Sequence, residues 1–349
     1  MFWLTAPFQA YAGVYSILGI VQGMGFSYLS AVLSTVEKQF GIQSKETAWV
    51  FSGNEISQIC FIFALPFLSK IHRRALWTSM AMIITALGLF LCAIPFFVKD
   101  KTVYDGGWNT VGSQKLCSTD PVTNTCSEDE RIRDFSGMAI IFIGFFITGI
   151  GTSFFFSFGI PYIDDNVPKN ASPAVLGMVL GARTLGPGLG FVLGSASLSL
   201  YVAPGRAPDL SEGDDGWLGA WWLGFVVVGS LLAIIAPVLA LFPQRLPGEE
   251  QTDALRREKE DDQSEPSSPA EFVEHTLACA GRLARNKIYV FNLLSAISFL
   301  IGFVGFGTFI PKYFEFHFRQ EATKSGYASL GSSVATGLGV IISGQVIAR

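Results

Sequence analysis

The chain has 349 residues, half of them hydrophobic and 15% charged, with 37 glycines, 31 phenylalanines and a net charge of -4. That balance belongs to a protein with several membrane spans rather than to one with a soluble core. There is no basic footprint for nucleic acid, no nucleotide-binding or hydrolase motif and no cysteine spacing for a metal, so an enzyme, a cofactor, a metal site and a nucleic-acid partner are not expected.

A helix needs about 20 apolar residues to cross a bilayer. Eight such runs follow one another, at residues 8–33, 47–69, 76–98, 137–160, 174–200, 218–242, 289–311 and 327–347. Each is predicted to be a spanning helix, and the fold class is an all-α membrane protein. The first run has no basic leader and is longer than a signal-peptide core, so it reads as a retained helix. Lys70, Arg73 and Arg74 gather between spans two and three, which places that loop, and by alternation the N-terminus, in the cytoplasm. The segment 201–217 carries Arg206 against Asp209, Glu212, Asp214 and Asp215 and is expected outside. The polar loop at 99–136 faces outward by the same parity. Cys117 and Cys126 flank its turn-rich part, as a disulfide or as two free thiols.

Residues 243–288 form the one extended hydrophilic segment. Its middle, Gln263 to Pro269, is rich in Ser, Pro and acid and is expected to be disordered, while Phe272, Val273, Leu277 and Leu283 at helical spacing suggest a short interfacial helix. A six-helix bundle over 1–242, a cytoplasmic linker over 243–288 and two further helices over 289–349 is the domain organisation expected. It is the layout of a major-facilitator carrier that includes only the start of its second bundle.

The most specific stretch is Asp214-Asp215-Gly216-Trp217-Leu218-Gly219-Ala220-Trp221-Trp222-Leu223-Gly224-Phe225. It resembles the signature of the organic anion transporting polypeptides, the solute carrier organic anion transporter family, in which Asp-x-Arg-Trp-Val-Gly-Ala-Trp-Trp-x-Gly-Phe-Leu opens the sixth span. Gly216 stands where that pattern has arginine, Leu218 where it has a β-branched residue and Val226 where it has leucine. The likeness covers nearly the whole chain. Ser69-Lys70-Ile71-His72-Arg73-Arg74 is similar to the family's Ser-Lys-Leu-His-Arg-Pro, and Glu55-Ile56 sits where the family has Phe-Glu-Ile-Gly-Asn. Tyr162-Ile163-Asp164-Asp165 matches a motif after span four, Gly186-Pro187 with Gly190 one in span five, and Pro311-Lys312-Tyr313 with Glu315 one at the end of span seven. Thr148 precedes Gly149-Ile150-Gly151 where many members carry an arginine.

Ionisable side chains inside a span cost about 2.5–3.5 kcal/mol to insert and are functional candidates by default. Arg183, near the middle of span five, is a candidate to pair with the sulfate or carboxylate of a bound anion and to replace the span-four arginine. The other readings are a structural pair with Glu55 of span two and snorkelling through a water-filled cavity. Glu55 itself is either a pH sensor or a structural carboxylate. Lys312, at the outer end of span seven, stands where the resemblance implies a basic residue facing the entry path, the other reading being that it snorkels to the headgroups. Trp217, Trp221 and Trp222 are read as interfacial anchors with solvated N–H groups, the alternative being a stacking platform for steroid-like substrates. The glycines of span five allow close helix packing, and Pro187 is expected to kink the span.

The resemblance implies a multi-pass plasma-membrane carrier that moves bulky amphipathic organic anions (bile salts, steroid sulfates, thyroid hormones and prostaglandins) by alternating access, without sodium or ATP, in exchange for a counter-anion. Another major-facilitator carrier of a cation or sugar, and a truncated membrane binding protein or receptor that does not transport, are the competing readings.

Overall fold

The computed structural model describes residues 6–68, 73–98, 135–167, 172–203, 217–243 and 278–347. Among them every regular element is a helix, and a single isolated antiparallel bridge, Tyr201 to Gly219, is the nearest approach to a sheet. Among the described residues seven helical segments are long and apolar enough to cross a membrane, and Ser44–Leu68 is a further 25-residue helix outside that set. The protein is an all-α, multi-pass membrane protein.

Helix α1 runs Ala6–Phe40, continuing past the apolar run through Ser34, Glu37 and Lys38. It stops at Gly41, whose φ of 66° is the left-handed conformation that glycine adopts without penalty, and the Ile42 amide reaches back 3.2 Å to the Glu37 carbonyl. Helix α2, Ser44–Leu68, starts immediately afterwards. The Glu46 carboxylate accepts from the Gln43 amide at 2.9 Å, one half of a capping box. Helix α3 covers Arg74–Val98.

The fourth span is one rod from Phe135 to Asp165 with an interruption. Helix α4, Phe135–Phe154, passes through one π-helical turn at Phe155–Gly159 into α5, Ile160–Asp165. The fifth span is broken too: α6, Ser172–Arg183, and α7, Leu185–Leu198, meet at Thr184. Pro187 explains the break, because it has no N–H to give the carbonyl of Arg183 four residues earlier. Helix α8 covers Leu223–Ala240, beginning later than the 218 expected for span six. Two long helices complete the described chain, α9 at Lys287–Phe318 and α10 at Ala322–Ile347.

Two compact units divide the chain, one comprising Met1–Leu246 with Pro311–Arg349 and the other Pro247–Ile310. In the first, α1 is central and packs against α6, α7 and α8, while α3 lies between α4 and α8, α2 lies on α4, and α10 lies along α6 and α7. Tyr11, Tyr15, Tyr28, Phe155, Phe225 and Trp221 are fully buried around α1. The α6–α10 crossing is tight at Gly177 and Gly344, where a Cβ on either would meet the other's Cα at 2.8 Å. Alanine at either position would force those two backbones apart. In the second unit, the part of α9 from 287 to 306 is exposed apart from half-buried Val290.

Candidate anion site

Arg183 ends α6 at the break that Pro187 creates. Its side chain turns toward α1, where the amide oxygen of Gln22 accepts from Nε at 3.2 Å and from Nη2 at 2.8 Å. Gln22 in turn donates to Thr152 Oγ1 of α4 at 2.6 Å. The guanidinium lies 4.8 Å from the ring centre of Phe156 and 5.6 Å from that of Phe155, both residues of the π turn. Phe155 is held by Tyr15, which stacks on it at 4.3 Å and donates its hydroxyl to the Phe155 carbonyl at 2.6 Å. Three elements, α1, the π turn and the α6 terminus, therefore converge on one cation. Among the described residues no carboxylate pairs with it.

The alternative partner expected for Arg183 is elsewhere. Glu55 is exposed on α2, and Gln58 approaches it at 3.5 Å. Thr148, in place of the span-four arginine, serves packing: its hydroxyl accepts from Asn54 at 2.9 Å and ties α4 to α2.

Lys312 is committed to a partner. Its ammonium is ion-paired with Glu37 at the end of α1 and also donates to Ser44 at the start of α2. The same carboxylate accepts from Thr47 at 2.8 Å, and nearby Glu315 accepts from Ser34 at 3.1 Å.

The tryptophan signature is a clasp rather than the first turn of a helix. Val202 donates to the Leu218 carbonyl at 2.9 Å and Ala220 to that of Leu200 at 2.8 Å, so Trp217 to Ala220 runs antiparallel to the residues after α7. The indole N–H groups are not solvated, contrary to the anchoring picture. Trp217 donates to Leu198 at 3.0 Å, Trp222 to Val202 at 3.1 Å, and fully buried Trp221 to the Gln39 side chain. Tyr28 of α1 closes the clasp, donating to the Trp221 carbonyl at 2.6 Å, accepting from the Gly224 amide at 2.9 Å and packing edge-on against Phe225. Trp222 stacks on Phe96 at 4.5 Å. The faces of Trp221 are filled by protein, which leaves the platform reading without a free ring there, while Trp217 and Trp222 are half-buried.

Among the loop residues, Asp165 pairs with Arg74 at 2.5 Å, Asp164 accepts from Ser172 at 2.5 Å, and Arg73 is exposed. Lys70, His72, Asp214, Cys117 and Cys126, and the linker from 244 to 277, lie outside the described residues. Gln22, Phe155, Phe156 and Glu37 are the site residues that the sequence reading passed over. Gln22 alone carried a local signal, an amide amid the apolar run of span one.

Residues 10–349, almost the whole chain, match the Organic Anion Transporter Polypeptide (OATP) family. The chain belongs to that family. It is 29% identical over 375 aligned positions to solute carrier organic anion transporter family member 74D of Drosophila melanogaster, an alignment covering 96% of this chain and 45% of the relative. It is 28% identical to human family member 2B1, over 96% of this chain and 54% of the relative. Rat family member 4C1 shares 27% identity, over 96% and 47%. This OATP chain thus spans about half the length of the curated relatives it matches.

Proposed function

We propose that the protein takes part in sodium-independent transport of amphipathic organic anions (steroid conjugates, bile salts, thyroid hormones and prostaglandins) across the plasma membrane by alternating access, with exchange for an intracellular anion. Family membership supports the substrate class, and the relatives named above are organic anion transporters by name. The observation that carries the reading in this chain is Arg183, a permanent cation at a helix break inside the span whose partner is an amide and not a carboxylate. A half-buried charge inside a span, left without its counter-charge, is costly, and a bound anion supplies that counter-charge. The π turn beside it gives the apolar body of such a substrate an aromatic surface in Phe156, 39% exposed. In this scheme the N-terminus is cytoplasmic, Glu55 is a structural carboxylate, and Lys312 contacts anions only after release from Glu37.

The test is binding of tritiated estrone sulfate to the purified full chain in lipid nanodiscs, followed by uptake in cells expressing it. Charge-assisted hydrogen bonds are worth about 1.5–3 kcal/mol, so Arg183→Ala is expected to weaken binding by about tenfold to a hundredfold. Unchanged affinity in a folded Arg183→Ala protein would overturn the assignment.

A further inference from the structure

We infer that Gln22 is a positioning residue that keeps Arg183 oriented and open to an anion; this rests on the reading of Arg183 above. The geometry is specific. One amide oxygen accepts from both Nε and Nη2, which is the side-on edge of the guanidinium. Arg183 offers donors only, so the oxygen of Gln22 must face it and the amide NH2 must face Thr152. Thr152 agrees: its own hydroxyl points to the Thr148 carbonyl at 3.4 Å, leaving an oxygen lone pair for Gln22. The amide is therefore locked from both ends.

What Gln22 leaves unused is the end-on edge. Among the described residues Nη1 has no hydrogen-bond partner, nor is it a sealed orphan, since the buried unpartnered side-chain atoms are those of Tyr11, Ser57, Ser195 and Ser197. Two parallel N–H bonds from Nη1 and Nη2 fit two oxygens of a carboxylate or a sulfate. Phe156 on the ring side restrains rotation of the fork. The chain contains its own contrast: Lys312, near a helix end, is neutralised by Glu37, while Arg183 is held by a side chain of nearly the same length as glutamate but without the charge. An acid at position 22 would make an internal ion pair and compete with the ligand.

The experiment exploits that near-isosteric pair. Equilibrium binding of tritiated estrone sulfate is measured on the full chain and on Gln22→Glu, Gln22→Met and Arg183→Ala, each first shown to be monodisperse. The Gln22→Glu protein is expected to bind about tenfold more weakly or worse at about pH 7.5, because its carboxylate pairs with the guanidinium that the ligand needs. The groups around that position are Arg183 from α6, Thr152 from α4 and Tyr15 of α1, whose proton is already given to the Phe155 carbonyl. Gln22→Met removes the clamp without adding charge and is expected to weaken binding only severalfold, less than Gln22→Glu. Wild-type affinity in Gln22→Glu, with binding lost in Arg183→Ala, would overturn the role of Gln22 alone. A loss in Gln22→Met as large as that in Gln22→Glu would overturn it too, because the added charge would then play no part. If Arg183→Ala binds normally, the anion site itself is wrong.

Discussion

Lys312 and Glu37 form an ion pair that joins the C-terminal ends of α9 and α1, with side chains only 17% and 11% exposed. Breaking a mostly buried pair costs about 3–5 kcal/mol because the remaining charge is stranded. Glu37→Ala is therefore expected to lower the melting temperature of the detergent-solubilised protein by several degrees. The reversed pair, Glu37→Lys with Lys312→Glu, should recover most of the loss. If the reversal is as unstable as either single change, the contact contributes by shape rather than by charge.

The Arg74–Asp165 pair gives the opposite expectation. Its side chains are 37% and 36% exposed, and solvent screening leaves such a bridge worth about 0–1 kcal/mol. Arg74→Ala should change the melting temperature little, and raising the salt concentration should erase what change there is. A loss as large as that at Glu37 would mean that Arg74 holds more than Asp165.

Trp221 is sealed in the core with its indole N–H given to Gln39, so Trp221→Ala is expected to cost about 3–5 kcal/mol. Trp221→Phe should recover the apolar part and lose the indole's hydrogen bond to Gln39, at about 0.5–1.5 kcal/mol. Trp217 is half-buried beside Tyr201, and its replacement by Phe should be milder. Thermal unfolding of the three variants ranks them. Equal losses at 217 and 221 would contradict the burial.

Pro187→Ala supplies an N–H where the Arg183 carbonyl now lacks its helical donor. The expected result is slower hydrogen exchange across 184–188 as the fifth span becomes more continuous. Exchange no slower than in the wild type would place the cause of the break elsewhere, in the contacts of Gly186 with α1.

The apolar runs were sufficient to read the helices, because a bilayer demands long stretches with every backbone group satisfied internally. Arg183 was legible for the same reason, as a charge where charges are costly. Its setting was not. Gln22 lies 161 residues from Arg183 and 130 from Thr152, and no local pattern announces such a junction. The tryptophan segment misled in a different way. Its composition suits the mouth of a span, but Trp217 to Ala220 satisfy their backbone against residues 197–202, a long-range choice that delays α8 to Leu223. The π turn at Phe155–Gly159 is likewise invisible in Phe-Phe-Ser-Phe-Gly, which reads as ordinary apolar helix.

That turn makes the length of the fourth span a constraint in its own right. An α-helix advances about 100° per residue, so removing one residue from Phe155–Gly159 and letting the rod close into regular helix would swing everything after it by about that angle. Tyr162 would leave Tyr11, whose ring it meets at 4.4 Å, and Asp165 would leave Arg74. Conservative exchanges in that pentapeptide should be survivable while a single-codon deletion should not, so the surplus residue works as a spacer that sets the phase between the two halves of the rod.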